Sequence, residues 1–474
     1  MKRFIILLAM LIVSMIIRMF FWIFGYSSYT NWSIYDVGYY VDSGEKLIVS
    51  LLSFNLDVVK SYLFHPLLGY YTTGFTSILF RVFLDKYSAG LLSPILFSSL
   101  MCLIVYLIGE KIGGFKMGFI AWLLATFDPY SIQFSTTFLD MPATFFTALF
   151  FYLLVKYSSN ENLKKYLLMG VAGGLAISSK HIVIPTILLL TIFFTKKAKN
   201  ILLIIAVAIL TYVTVNIVKF TSLENLSLIL SSNIEGGGIG IPAIIYGPIE
   251  IGKPYTYPWY ILTYLGLGYT GIGVAPYITP VITFILFCYY RISKKLKVLN
   301  VKKENYSRTI MWVACSLIPL ILLPRNYWIP LSRFPGISSE SNILTKFFYP
   351  YYYVITIAAL SIFMAYLVIK EPKLDNQVLK NVSTRYIDRV LLSVSHIIVV
   401  LFLLLSPLGL AANTIYPFWD FIFTLIINIE KEEPIIKTMG AQLLILTALL
   451  LVGILTIALV AEDKKGDSVY RVVN

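Results

Sequence analysis

Charge, cysteine and histidine are all scarce in this chain. Only 13% of its 474 residues are charged, against 58% hydrophobic, and mean hydropathy is +0.81. A soluble domain carries about twice that share of charge, which excludes an ordinary water-exposed globular protein. The three cysteines, Cys102, Cys288 and Cys315, fall in apolar runs and form no C-x-x-C pair. A disulfide framework and a thiolate metal site are therefore excluded. A phosphate-binding glycine loop is absent too. The run EGGGIGIP at Glu235–Pro242 follows no strand and opens no dinucleotide-binding unit, so it reads as a turn in a long loop. No internal repeat is visible, which disfavours an inverted-repeat transporter.

What the chain has in abundance is apolar sequence, in runs near the roughly 20 residues that cross a hydrocarbon core. Spans are expected near 4–24, 88–109, 114–130, 142–157, 165–178, 181–195, 200–219, 274–290, 309–324, 349–369, 390–412 and 435–460. They predict an all-α, polytopic integral membrane protein of about 12 transmembrane helices. The first run is too long for a signal-peptide core and lacks a small-residue cleavage site, so it reads as a retained helix.

Met1-Lys2-Arg3 sets the N-terminus inside. Alternation then puts Lys196, Lys197 and Lys199, the run Arg291–Arg308, the segment Lys370–Arg389 and the tail after Val460 inside as well. Both termini are expected on the cytoplasmic side of the plasma membrane. The net charge of +14 is thereby a topology signal, and its partner is the lipid bilayer rather than nucleic acid. The stretch His65–Leu84 is apolar enough to span, yet counting it would invert every later loop. It is expected to lie in the outer interface, or to re-enter there, as a helix.

The outer segments 25–87, 131–141, 220–273 and 325–348 hold nearly everything chemically suggestive. Taken singly, each candidate there has a plain structural account. Asp36, in YDVGYYVDSGEKL, suits a solvated charge beside the bilayer. Asp140, in FLDMPATFF, stands two residues before Pro142 at the start of an apolar run, where an N-cap carboxylate is expected. Lys180 and His181 suit a snorkelling lysine and a turn residue, and His65 before Pro66 suits a helix cap.

Their order says more. YDVGYYVDSGEKL, FHPLLGYY, YLIGEKIGG, FLDMPATFF and ISSKHIVIP follow one another along the chain. This succession resembles the polyprenyl-phosphate-sugar-dependent glycosyltransferases of the GT-C superfamily, in their protein O-mannosyltransferase and aminoarabinose transferase branch. In that family an acid follows the first span, a His-Pro motif opens a surface helix, and a Leu-Asp-x-Pro motif precedes a later span. YPWY at Tyr257–Tyr260 and TKFFYPYYY at Thr345–Tyr353 are similar to later family segments. The likeness covers residues 20–200 well and 245–355 loosely. Two departures stand out: the family's acidic pair is reduced to Asp36-Val37, so a second acid's role is vacant or passes to Asp42 or Glu45, and its double proline is reduced to His65-Pro66-Leu67.

The resemblance implies a catalytic transmembrane module over 1–290 and a C-terminal transmembrane region over 291–474. It implies transfer of a mannose-like hexose from a polyprenyl (dolichyl) phosphate donor to a protein, lipid or glycan hydroxyl on the outer face. Such a reaction needs a general base for the hydroxyl proton, and Asp36 is the candidate. A second acid, Asp140, would orient the acceptor. Fixed cations would meet the charge on the departing phosphate, with Lys180, Lys253, Arg325, Arg333 and Lys346 as candidates. His65, His181, Tyr257 and Trp259 complete the expected substrate-binding set, and Tyr39 and Tyr40 suit a sugar cleft. No metal is required by the pattern. Asp36, His65, Asp140 and His181 are the side chains that would ligate a divalent ion, and their spacing is not diagnostic. A transporter or flippase of lipid-linked sugar and an inactive structural subunit remain as alternatives. The first predicts ionisable residues facing one another at mid-membrane, where the spans, Arg18 apart, carry almost none.

Overall fold

The computed structural model describes residues 2–19, 31–54, 65–127, 131–132, 134–157, 163–195, 197–220, 303–322, 325–330, 342–347 and 355–368. The spans expected at 274–290, 390–412 and 435–460, and the candidates Lys253, Tyr257 and Trp259, lie outside the described residues. The chain divides into two compact units. One is formed by Met1–Ile104, Phe134–Tyr264 and Cys315–Thr356, the other by Val105–Gln133, Leu265–Ala314 and Ile357–Asn474.

In the first unit, α1 (Lys2–Met19) is an apolar helix with one buried cation near its end. Arg18 donates to Ser98 Oγ at 2.7 Å, to the Ser14 carbonyl at 3.1 Å and to Cys102 Sγ at 3.1 Å. A guanidinium inside an apolar helix must be met by acceptors, and these fasten α1 to the helix that carries Ser98 and Cys102.

The YDVGYYVDSGEKL stretch is not a loop but the body of α2 (Asn31–Leu52). It packs on α3 (Leu68–Phe80). At about 1.5 Å per residue, this 13-residue helix falls short of a core of about 30 Å, as does the 11-residue helix Ile184–Phe194 in the expected span 181–195. The two helices meet where Gly44 faces Gly74: a Cβ on Gly74 would lie 2.2 Å from the Gly44 carbonyl carbon. Beside this crossing Leu47, Leu67, Tyr70, Leu139 and Val218 form a buried cluster. Lys86 pairs with Asp42 at 2.6 Å and Glu45 at 3.3 Å, and the Ser77 hydroxyl donates to Glu45 at 2.6 Å.

Helix α4 (Lys86–Phe127) breaks at Gly113–Gly114, where Gly114 takes φ +82°, a conformation open to glycine and disfavoured for other residues. Beyond the break the chain doubles back, and a Cβ on Gly109 would stand 2.8 Å from the Gly118 Cα. The boundary expected between the spans 88–109 and 114–130 falls at this turn.

Four helices follow in the first unit: α5 (Asp140–Lys156), α6 (Leu163–Ser179), α7 (Ile184–Phe194) and α8 (Ala198–Val215). A 3₁₀ turn at His181–Val183 joins α6 to α7, and another at Ile217–Phe220 closes α8. Helices α6 and α8 press together through small residues four apart, the small-xxx-small pattern of membrane helix pairs. A Cβ on Gly170 would lie 2.5 Å from Val207 Cβ, and one on Gly174 2.5 Å from Thr211 Cβ. This close approach brings the end of α6 beside the end of α8.

Later come α9 (Lys303–Leu322) and α10 (Ile357–Val368). Between them β1 (Arg325–Pro330) and β2 (Asn342–Phe347) pair antiparallel, with Asn326 opposite Lys346. The described residues are mostly helical, as the all-α expectation has it, apart from this two-stranded pair. Aromatic and β-branched residues in Asn-Tyr-Trp-Ile and Asn-Ile-Leu-Thr favour a pleated pair, a signal that a search for apolar runs passes over. Among the described residues, Lys86–Phe127 and Ala198–Val215 are long and apolar enough to cross a membrane.

Candidate functional site

Asp140 opens α5, and the capping position falls instead to Leu139, which makes no side-chain cap bond. The N-cap role expected of Asp140 is therefore not the one its carboxylate takes. Lys180 Nζ donates to both of its oxygens, at 2.6 and 2.7 Å. The pair is nearly closed off from solvent, with 12% of the Lys180 side chain exposed and 5% of the Asp140 side chain. Lys180 reaches it because α6 ends at Ser179 and the next residue turns extended, with φ −158° and ψ 132°. Asp140 lies in the segment ahead of the apolar run 142–157. Burial pushes its carboxyl upward from the ordinary carboxylate value, and the Lys180 ammonium opposes that shift without cancelling it.

Four other segments close around this pair. From α2, Tyr40 stacks on Phe138 with ring centroids 5.2 Å apart, and it meets Tyr70 of α3 at 5.1 Å. Tyr39 stands edge-on to Tyr40 at 5.4 Å. The start of α3 lies against the Leu-Asp-x-Pro segment so closely that a Cβ on Gly69 would be 2.9 Å from the Phe138 carbonyl oxygen. His181 Nε2 and the Tyr212 hydroxyl meet at 2.9 Å. Asn216, just past α8, accepts from the Leu67 amide at 2.8 Å, and Lys219 donates to the His65 carbonyl oxygen.

The fold thus brings Asp140, Lys180, His181 and the His65 backbone into one neighbourhood, with Tyr40 beside them. Asp36 sits on α2 one helical turn before Tyr39 and Tyr40, and its side chain lies outside the described residues. The same holds for the side chain of Lys346 on β2. Asp42 and Glu45, the substitutes for a second acid, are engaged with Lys86 at the α2–α3–α4 junction. Tyr212, Asn216 and Lys219 are site residues that the motifs did not point to. Their signal was an asparagine and a lysine closing the run 200–219, which a membrane reading takes as a span end. Among the described residues, no group of three His, Cys, Asp or Glu side chains gathers as a cation site.

Residues 65–221 match the family model described as dolichyl-phosphate-mannose-protein mannosyltransferase. The GT-C resemblance is thus shown over that stretch. The GT-C-like stretch begins at His65 and ends just past Lys219, so it encloses Asp140, Lys180, His181 and the end of α8. Asp36 and the rest of α2 precede it. A crystal structure of the Archaeoglobus fulgidus oligosaccharyltransferase in the apo form is similar with a TM-score of 0.44 and 13% identity, over 86% of this chain. This chain spans only 56% of that one. No curated protein matches the chain.

Proposed function

We propose that the chain is a multi-pass membrane glycosyltransferase. It moves a mannose-like hexose from a polyprenyl phosphate to a hydroxyl of a protein, lipid or glycan on the outer face. The observation that carries this reading is the buried Asp140–Lys180 pair, built from two motif segments inside the matched stretch and flanked by the His-Pro segment. A nucleotide sugar is scarce outside a cell, whereas a polyprenyl-phosphate sugar is already in the membrane with its phosphate at the surface. The termini are cytoplasmic in this reading, and residues 1–290 carry the catalytic module ahead of a C-terminal transmembrane region.

Transfer is a single displacement. The acceptor oxygen attacks the anomeric carbon, the bond from that carbon to the phosphate oxygen breaks, and the phosphate leaves with the electron pair. Attack from the opposite side inverts the anomeric configuration. Asp36 takes the acceptor's proton. Asp140 keeps lone pairs beyond the two that Lys180 occupies, so it orients the acceptor while itself held in place. Lys180, fixed beforehand by Asp140, presents a positive charge to the phosphate as its charge grows. Tyr39 and Tyr40 offer ring faces to the sugar.

The test is sugar release from polyprenyl-phosphate hexoses by the full chain in lipid vesicles, with a mixed acceptor extract, for wild type and Asp36→Asn. The isosteric variant, equally folded, should be slower by about 10² or more. Equal rates place the base elsewhere. No release by wild type across several hexoses moves the flippase or inactive-subunit reading ahead.

A further inference from the structure

Residues 65–67 belong to no helix or strand; the Leu67 carbonyl accepts from the Tyr71 amide of α3 at 3.0 Å and Pro66 has no amide hydrogen, which leaves the Leu67 amide and the His65 carbonyl to be met from elsewhere. Two partners come from the far end of α8. The Leu67 amide donates to Asn216 Oδ1 at 2.8 Å, and Lys219 Nζ donates to the His65 carbonyl oxygen. Between them Val218 packs into the cluster that holds Leu67 and Leu139. Asn216 is 0% exposed and Lys219 1%. Burying a lysine amine at the end of an apolar run costs solvation free energy, so fixing a geometry explains the contact better.

The same end of α8 reaches the opposite side of the site. Asn216 Nδ2 donates to the Tyr212 carbonyl at 2.9 Å and to Ser178 Oγ at 3.4 Å, two residues before Lys180. The Tyr212 hydroxyl in turn meets His181. The end of α8 is therefore joined to the His-Pro segment and to the Ser-Ser-Lys-His segment at once.

We propose that Asn216 and Lys219 are positioning residues that clamp the His65–Leu67 backbone in a fixed place relative to the Asp140–Lys180 pair, so that His65 serves the transfer only while the clamp holds. The part concerning transfer rests on the function proposed above; the clamp itself does not.

Two measurements on the full chain in lipid nanodiscs test it. Amide hydrogen exchange at residues 67–70 should quicken by about tenfold in Asn216→Leu, as expected for opening of a segment that has lost one buried hydrogen bond. Unchanged exchange overturns the clamp, whatever the enzyme does. In sugar release from a polyprenyl-phosphate hexose, Lys219→Met should lower kcat by about tenfold with KM for the donor lipid nearly constant, and Lys219→Arg should recover most of it. Adding His65→Ala to Lys219→Met should then cost nothing more, because both changes remove one contribution. Losses that multiply, or a His65→Ala single variant as active as wild type, overturn the positioning role. If wild type releases no sugar, the transfer part falls with the function it rests on, and exchange still decides the clamp.

Discussion

Removing one partner of the Asp140–Lys180 pair should destabilise the protein far more than removing both. Breaking a buried ion pair leaves an uncompensated charge and costs about 3–5 kcal/mol. The exposed fractions of 5% for Asp140 and 12% for Lys180 put this pair near the lower end, at about 3 kcal/mol. In Lys180→Met the stranded carboxyl can escape part of that penalty by taking up a proton, since burial already pushes it upward. In Asp140→Leu with Lys180→Met neither charge needs desolvating, and the loss should shrink to about 1 kcal/mol or less. The assay is unfolding from lipid–detergent micelles by titrated denaturant, read by tryptophan fluorescence, for both singles and the double. The reasoning is refuted if the singles each lose under about 0.5 kcal/mol and their losses simply add. Sugar release gives a second axis: the double variant should regain its fold and stay inactive, since packing replaces the pair in stability and not in charge.

Gly174→Val should cost about 1–3 kcal/mol by overpacking, because a Cβ there would lie 2.5 Å from Thr211 Cβ and 2.6 Å from the Ala208 carbonyl oxygen. Gly38→Ala, inside α2 with nothing within 4 Å of the new atom, should instead gain about 0.5–1 kcal/mol from helix propensity in the same unfolding assay. Lys86→Met should cost about 1 kcal/mol or less, since its ion pair with Asp42 is 40% and 42% exposed, and sugar release should be unchanged if Asp42 and Glu45 are structural. The upward shift of Asp140 means that the folded state holds its proton more tightly than the unfolded state does. Its contribution to stability is therefore full below the ordinary carboxylate value and is lost as pH rises through the folded value. Acidification should then switch off sugar release with a midpoint above the ordinary carboxylate value while the helical circular dichroism persists. Activity and helix signal lost together would count against this.

Much of the scaffold is written in local properties of the chain. Apolar runs, the paired glycines at 113–114 and the proline after Asp140 act over a few residues, so the helices of the first 220 residues, α2 apart, and the break in α4 could be read along the sequence. The order of the motif segments was equally legible, and with it the candidacy of Asp140, Lys180 and His181. What no local rule contains is which partner each side chain finds. Asp140 read as a helix cap, and the ion pair it makes instead turned on Lys180 forty residues away, delivered by the packing of α6 on α8 through Gly170 and Gly174. Asp42 and Glu45 looked like spare acids until the start of α4 placed Lys86 between them. Asn216 and Lys219 read as the end of a span, yet they hold a segment about 150 residues earlier. Periodicity is a property of neighbours in the chain, whereas charge pairing and hydrogen bonding are properties of neighbours in space. Only folding makes residues so far apart in the chain meet.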